Sequence, residues 1–360
     1  MPTPWQRDLE RDRERLTRWL AARLPAATAL ELHGLRAPEA SGFSNDTLLG
    51  ELEVREGGAV RRERLVVRIQ PTGFQVFPEY DLGLQFRAMQ LLAKTDVPVP
   101  RVRWLEEHDA SVLGAPFYVM DHVEGRVPTD RPPYHADGWM KEASPEERAA
   151  IWWGGIECMA KIHRLDPGAV GFGFLDQRAP GQNHFRRQLA YYERYLAWAA
   201  RGLPQPTIEA ALAWLRAHEP ADPRTVLLWG DARIGNVIFA GTRPAAVLDW
   251  EMVTLGSPEE DLAWAIFLDR HHSEGIGVPR LEGFPSYEET VARYEALTGF
   301  EIGQLHFWQV FAAFRFAVIM TRIAQQMVHY QVMTAEQGRQ FELDNTVTRM
   351  LAALLERGRS

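Results

Sequence analysis

Three oxygen-bearing side chains, Asp231, Asn236 and Asp249, stand where short apolar runs alternate with polar loops. Val226-Leu227-Leu228 leads into Trp229-Gly230-Asp231-Ala232-Arg233-Ile234-Gly235-Asn236. Val237-Ile238-Phe239 follows, and Ala245-Ala246-Val247-Leu248 ends at Asp249-Trp250-Glu251. The apolar runs predict three short buried strands, so each polar group falls at a strand end or in the loop between two strands. Asp231 and Asn236 are five residues apart across one loop, and Asp249 comes after a hairpin. That spacing can gather two carboxylates and an amide oxygen around one point. Oxygen ligands suit Mg2+, which takes few protein ligands and keeps nucleotide phosphates for the rest. Phosphoryl transfer is one chemistry such a set could serve, since there the protein supplies mainly position and charge stabilisation. A lone Asp at a strand end is usually a turn or cap residue, but the joint spacing of the three outweighs that reading.

The elements that must hold these groups follow from the pattern on either side. Trp5 to Arg23 reads as an amphipathic helix, with Leu9, Leu16, Trp19 and Leu20 among alternating charges. Thr47–Val54 and Arg64–Gln70 flank Arg55-Glu56-Gly57-Gly58 as a hairpin, Tyr80–Leu92 has helical spacing, and strands are expected at Arg101–Leu105 and Phe117–His122. Gly125 to Pro133 reads as a linker. Beyond it, helices are expected over Glu146–Arg164, His184–Arg201, Thr207–His218, Tyr287–Leu297, His306–Tyr330 and Ala335–Glu356. Ser257-Pro258-Glu259-Glu260 is a capping box for a helix over Asp261–Leu268. The fold class is α+β: a small antiparallel-sheet lobe over residues 1–123 and a larger, mainly helical lobe over 124–360.

The central stretch resembles the catalytic core of the aminoglycoside phosphotransferase and choline kinase superfamily, which shares the bilobal protein-kinase-like fold. Trp229-Gly230-Asp231, Asn236 and Asp249-Trp250-Glu251 keep the order and spacing of the kinase H-R-D, its following Asn, and D-F-G. The resemblance implies that Asp231 accepts the proton of a substrate hydroxyl while Asn236 and Asp249 hold Mg2+. It places Arg233 where protein kinases have a catalytic-loop Lys, so phosphate contact and a solvated or structural role are both open to it. Phe117 to Gly125 resembles the interlobe hinge, implying that the Asp121 carbonyl and the Val123 amide bind the adenine of ATP. The loop Ser41-Gly42-Phe43-Ser44-Asn45-Asp46 resembles the one over the nucleotide phosphates. Arg68 replaces the family's phosphate-binding Lys and Gln85 its partner Glu; Arg68 either contacts phosphate with its bidentate fork or faces solvent. Asp261 matches a recurrent family Asp, with orientation of the catalytic loop as its implied role.

Composition limits the alternatives. A formal net charge of -8 argues against a nucleic-acid partner. Cys158 is the only cysteine, which excludes an internal disulfide and a cysteine zinc site. The N-terminal stretch is too charged for a signal peptide, and Val310–Met320, interrupted by Arg315, is too short to span a bilayer, so the expectation is a cytoplasmic protein with no membrane partner. His271-His272 is expected at the surface, and Phe307, Phe311, Phe314 and Met320 in the core. There is no G-x-S-x-G elbow and no dinucleotide fingerprint. An ATP- and Mg2+-dependent small-molecule kinase is therefore expected, with a degenerate kinase-like binding module as the competing reading. The acceptor is a hydroxylated small molecule. Arg178, His184, Arg186, Arg187 and Arg194 would favour an anionic or neutral acceptor over a polycation. The core also resembles the kinase-like domains associated with acyl-CoA dehydrogenases, which places a hydroxyacyl-CoA ahead of an aminoglycoside. The oligomeric state is left open.

Overall fold

The computed structural model describes residues 7–38, 45–221 and 224–358. Two compact units emerge, Met1–Gln90 with Pro100–Val123, and Leu91–Val99 with Glu124–Ser360.

In the first unit Asp8 caps α1 (Leu9–Ala21) through a hydrogen bond from the Arg11 amide, and the helix buries Leu16, Trp19 and Leu20. The strands are β1 (Ala29–Arg36), β2 (Asp46–Glu56), β3 (Ala59–Ile69), β4 (Val102–Glu106) and β5 (Phe117–Asp121). Helix α2 (Leu82–Leu92) and the single turn α3 (Ala110–Leu113) lie between them in sequence. The strands form one antiparallel sheet in the order β1-β2-β3-β5-β4. Gly57 and Gly58, both at positive φ, make the two-residue turn between β2 and β3. The hairpin is longer than its apolar runs suggest, because Arg62 on β3 pairs with Glu53 on β2 and charged pairs extend the ladder. Alternation then sorts the faces: Leu65, Val67 and Ile69 join Phe117, Val119 and α1 in the core, while Arg68 and Tyr118 project the other way.

The second unit holds α4 (Trp139–Glu142), α5 (Pro145–His163), α6 (Pro167–Val170), α7 (His184–Ala200) and α8 (Pro206–Ala217). The strands β6 (Val226–Leu228), β7 (Val237–Ala240), β8 (Arg243–Val247) and β9 (Thr254–Gly256) follow. Then come α9 (Pro258–His271), α10 (Tyr287–Thr298), α11 (Leu305–His329), α12 (Ala335–Leu343) and α13 (Thr346–Arg357). Strand β9 was not expected; it pairs with β6, while β7 pairs with β8. The single helix expected over Ala335–Glu356 is two, because Asp344 leaves the helical region and Asn345 caps α13 on the Val347 and Thr348 amides. Helix α11 is long and apolar enough to cross a membrane, yet 89% of its most apolar window is buried, as befits a core helix. Cys158 lies inside α5, and burial pushes its thiol up to about 12, so it behaves as a small hydrophobe.

The supposed linker is part of this unit. Arg126 exchanges both backbone hydrogen bonds with Phe239 of β7, at 3.0 and 2.8 Å. Gly125, at φ +146°, is required there, since a Cβ would lie 2.5 Å from the Phe239 carbonyl oxygen. Farther along, the Tyr134 hydroxyl and His135 Nε2 meet Asp269 Oδ1 at 2.7 and 2.9 Å, while Arg280 Nε and the Tyr287 hydroxyl donate to Oδ2 at 2.6 and 3.0 Å. His272, expected at the surface, is buried edge-on against Tyr134, because this network draws the end of α9 inward. Burial alone would raise the Asp269 carboxyl, but the His135 hydrogen bond and the Arg280 guanidinium outweigh it and hold the group at about 2.

A depressed carboxyl contributes stability that is present above its unfolded value and lost as pH falls through its folded one. Between pH 5 and pH 2, wild type should therefore lose about 2 kcal/mol more than Asp269→Asn. Urea unfolding curves across that range test this, and parallel losses in the two proteins would contradict it.

Candidate active site

The loop after β6 is fixed from behind by one buried carboxylate. Asp261, fully buried in the first turn of α9, accepts the backbone amides of Trp229 and Gly230 at 2.7 and 3.0 Å. His163 at the end of α5 bonds the same carboxylate through Nε2 at 3.0 Å, and its Nδ1 meets the Tyr294 hydroxyl at 2.6 Å. Asp261 can sit there because Ser257 caps α9 in a capping box with Glu260, as the sequence suggests. Gly230 adopts φ +92°, and a Cβ would lie 2.1 Å from the Met252 carbonyl oxygen, so no other residue fits. The Gly230 carbonyl accepts from Arg315 Nη2 of α11 at 3.1 Å.

Asp231 follows directly. Its Oδ1 accepts from Trp264 Nε1 at 2.8 Å and its Oδ2 from Asn236 Nδ2 at 2.6 Å. Arg233 Nε lies 3.2 and 3.1 Å from the two oxygens. The other end of Arg233 reaches Asp130 through Nη1. Burial opposes the charge on Arg233, but Asp130 and Asp231 more than offset it and raise its pKa. Burial likewise raises the Asp130 carboxyl, and Arg233 reverses this to hold it low. Asp231, Arg233 and Asn236 are thus brought into direct contact.

Asp249 joins them through the backbone. The Leu248 amide donates to the Asn236 carbonyl at 2.8 Å, and the Trp229 indole donates to the Leu248 carbonyl at 2.8 Å. Asp249 comes next in the αL region, φ +61° and ψ +68°, a conformation that costs a residue other than glycine about 1–2 kcal/mol. Such strain, held in place by neighbouring bonds, directs attention to function. Among the described residues no three His, Cys, Asp or Glu side chains cluster as a metal site. The Asn236 amide nitrogen is committed to the Asp231 carboxylate and carbonyl, which leaves its oxygen for a cation; with the Asp249 carboxylate this is a donor set that fits Mg2+.

In the first unit Arg68 of β3 pairs across the ladder with Tyr118, whose hydroxyl meets the buried Gln85 at 3.3 Å, and with Thr47 on the other side. Asn45 is buried beside the start of β2. Asp121 ends β5 with its side chain bonded to Arg103, and Val123 closes the segment. Ser41, Gly42, Phe43 and Ser44 lie outside the described residues. Of the basic run near α7, Arg178 is paired with Asp176 and Arg186 with Glu219, while Arg187 donates to Thr254 and Gln177. That surface is less positive than its sequence, because local carboxylates neutralise two of its cations. Sequence reasoning missed Asp130, Trp264 and Arg315. Only Trp264 carried a signal, since it stands three residues after Asp261 and so projects from the same side of α9.

Residues 37–300 match the phosphotransferase enzyme family. Acyl-CoA dehydrogenase family member 11 of Gallus gallus is 30% identical over 322 residues, which is 86% of this chain and 39% of that protein. The chain spans between 25% and 39% of the length of such curated relatives. Among solved structures, a Ralstonia eutropha JMP134 protein assigned as an aminoglycoside phosphotransferase superposes with a TM-score of 0.68 at 27% identity, over 96% of this chain and 98% of that one. A thermostable mutant of aminoglycoside phosphotransferase APH(4)-Ia, solved with ADP and hygromycin B, gives a TM-score of 0.53 at 14% identity over 96% of this chain and 99% of that one, a likeness of fold.

Removing Asp261 would orphan two buried amides and a histidine. Asp261→Ala should therefore cost about 3–5 kcal/mol of stability, and Tyr294→Phe, which loses one outer hydrogen bond, about 1 kcal/mol. Urea denaturation measures both, and equal small losses would show that the carboxylate does not anchor the loop.

Proposed function

The chain belongs to the phosphotransferase enzyme family and is a small-molecule kinase, and we propose that it moves the terminal phosphoryl group of ATP to a hydroxyl of its substrate with Asp231 as base. The observation that carries this reading is the Asp231 carboxylate held by Trp264, Asn236 and Arg233 on a backbone fixed by Asp261. An aspartate with a merely structural role at a turn needs no such convergence. In the proposed reaction Asp231 takes the proton of the acceptor hydroxyl as its oxygen bonds to phosphorus, and the bond from phosphorus to the bridging oxygen of ADP breaks. Asn236 and Asp249 would hold Mg2+, which supplies charge neutralisation for the phosphates. Arg233, the nearest cation to Asp231, would contact the transferred group.

In the first unit Arg68 would hold nucleotide phosphates together with Ser41, Gly42, Phe43, Ser44 and Asn45. The main chain at Asp121 and Val123 would receive the adenine. Gln85 meets Tyr118 through a neutral hydrogen bond, so Arg68 takes the place of a Lys–Glu pair by its own permanent charge.

For the acceptor, the relatives named for acyl-CoA dehydrogenases support a hydroxyl on an acyl thioester. Arg187, which donates to the neutral side chains of Thr254 and Gln177, is a candidate contact for a CoA phosphate. The assignment of the Ralstonia eutropha neighbour favours an aminoglycoside as the second reading.

Two experiments test these assignments. Asp231→Asn should keep nucleotide binding and lower kcat about 10²–10⁴-fold, the usual worth of a general base; near wild-type turnover would remove Asp231 from the mechanism. Offered 4-hydroxyacyl-CoA and kanamycin at equal concentration with Mg2+ and ATP, the enzyme should phosphorylate the thioester, read by mass. Phosphorylation of the amino-sugar alone would reverse the acceptor assignment and leave the kinase intact.

A further inference from the structure

Among the described residues three side chains donate to Asp231, and they differ in what else they must do. In the function proposed above Asn236 also serves Mg2+ and Arg233 also serves the transferred phosphoryl group. Trp264 has neither duty. Its indole carries one N–H, cannot accept, ligates nothing and never changes charge. That single donor points at Asp231 Oδ1 from 2.8 Å.

The ring that carries it has little freedom to move. Trp264 is 2% exposed, and the Arg315 guanidinium lies over its face at 4.6 Å from the centroid. Phe316 meets it edge-on at 5.8 Å. Arg315 is also 2% exposed and holds the Gly230 carbonyl, so one cation steadies both the indole and the backbone preceding Asp231. Asp261 and Trp264 stand one helical turn apart on α9, where the first fixes the loop's amides and the second its side chain. An Asp side chain has two torsions between Cα and its carboxylate, and the backbone bonds leave both free. The indole N–H is the contact that fixes them without being consumed by metal or phosphate.

We propose that Trp264, backed by Arg315, is a positioning residue that holds the Asp231 carboxylate at one orientation through the reaction. The inference rests on Asp231 being the base. It assigns Trp264 no contact with substrate, so its loss acts on the rate of transfer and not on binding.

The test is Trp264→Phe, which keeps an aromatic ring against Arg315 and Phe316 and removes the donor. With the acceptor identified by phosphorylation screening, kcat should fall about 10- to 100-fold, as expected for losing a hydrogen bond to a charged group that sets reactive geometry. The KM values for ATP and acceptor should stay within about twofold. In an Asp231→Asn background the same substitution should change kcat by less than about twofold, because the group it positions is gone. Unchanged kcat in Trp264→Phe, or an equal loss in both backgrounds, overturns the proposal. If Asp231→Asn itself keeps full turnover, the base assignment fails and this inference with it; if only Asp231→Asn is slow, the inference alone fails. Should Trp264→Phe not fold, the contact is read in the protein with its native Trp264. Asp231→Asn should then shift one indole N–H resonance in a nitrogen–proton spectrum, and a spectrum in which none moves overturns the proposal.

Discussion

The loop after β6 depends on one buried carboxylate, Asp261, satisfied by two consecutive backbone amides. Burying that charge is costly unless its lone pairs are filled, and here Trp229, Gly230 and His163 fill them. The arrangement has consequences in both directions along the chain. Just past the two amides Gly230 takes a positive φ, and only a residue without Cβ fits there against Met252. With Gly230 so turned, its carbonyl faces Arg315, and Asp231 emerges on the side where Trp264 waits. The loop of eight residues between two short strands buries Trp229, Ala232 and Ile234, and its polar groups are held by partners on α9 and α11, with Asp261 backed in turn by His163 of α5 and Tyr294 of α10.

Charge is arranged as a chain as well. Asp130, Arg233 and Asp231 alternate in sign and carry one net negative charge between them. Asp249 stands close by through the Leu248–Asn236 hydrogen bond and adds a further carboxylate. The same triad explains why the segment after Gly125 is no linker. Arg126 is paired into the β7 edge and Tyr134 and His135 are tied to Asp269, so Asp130 is held at both ends of its segment at a fixed distance from the loop.

Local chemistry made much of this legible. The capping box at Ser257, the glycine turn at Gly57-Gly58 and the strands at β3 and β5 each act over a few residues, and each was read from those residues. The spacing of Asp231, Asn236 and Asp249 was legible for the same reason, since strand ends and a hairpin bring them near one another by short connections. Longer-range features were not. Asp344 and Asn345 look like ordinary polar residues within a helical pattern, and only the cap formed by Asn345 separates α12 from α13. His271-His272 reads as polar surface until the Asp269 network pulls the end of α9 inward.

The sequence by itself determined which groups can do chemistry on this chain and which local elements carry them, because residue type and spacing set strand ends, turns and caps. Tertiary structure alone decided which groups serve Asp231. Arg315 looks like an interruption in an apolar helix 84 residues away. Packing turns it into a buried cation beneath Trp264 and Gly230. Asp130 lies in a Pro-rich stretch about a hundred residues before Arg233, and their pairing depends on where the connector is laid against β7. Such partnerships cross between elements that meet only when the core is assembled, so no pattern within a helical turn or a strand could announce them.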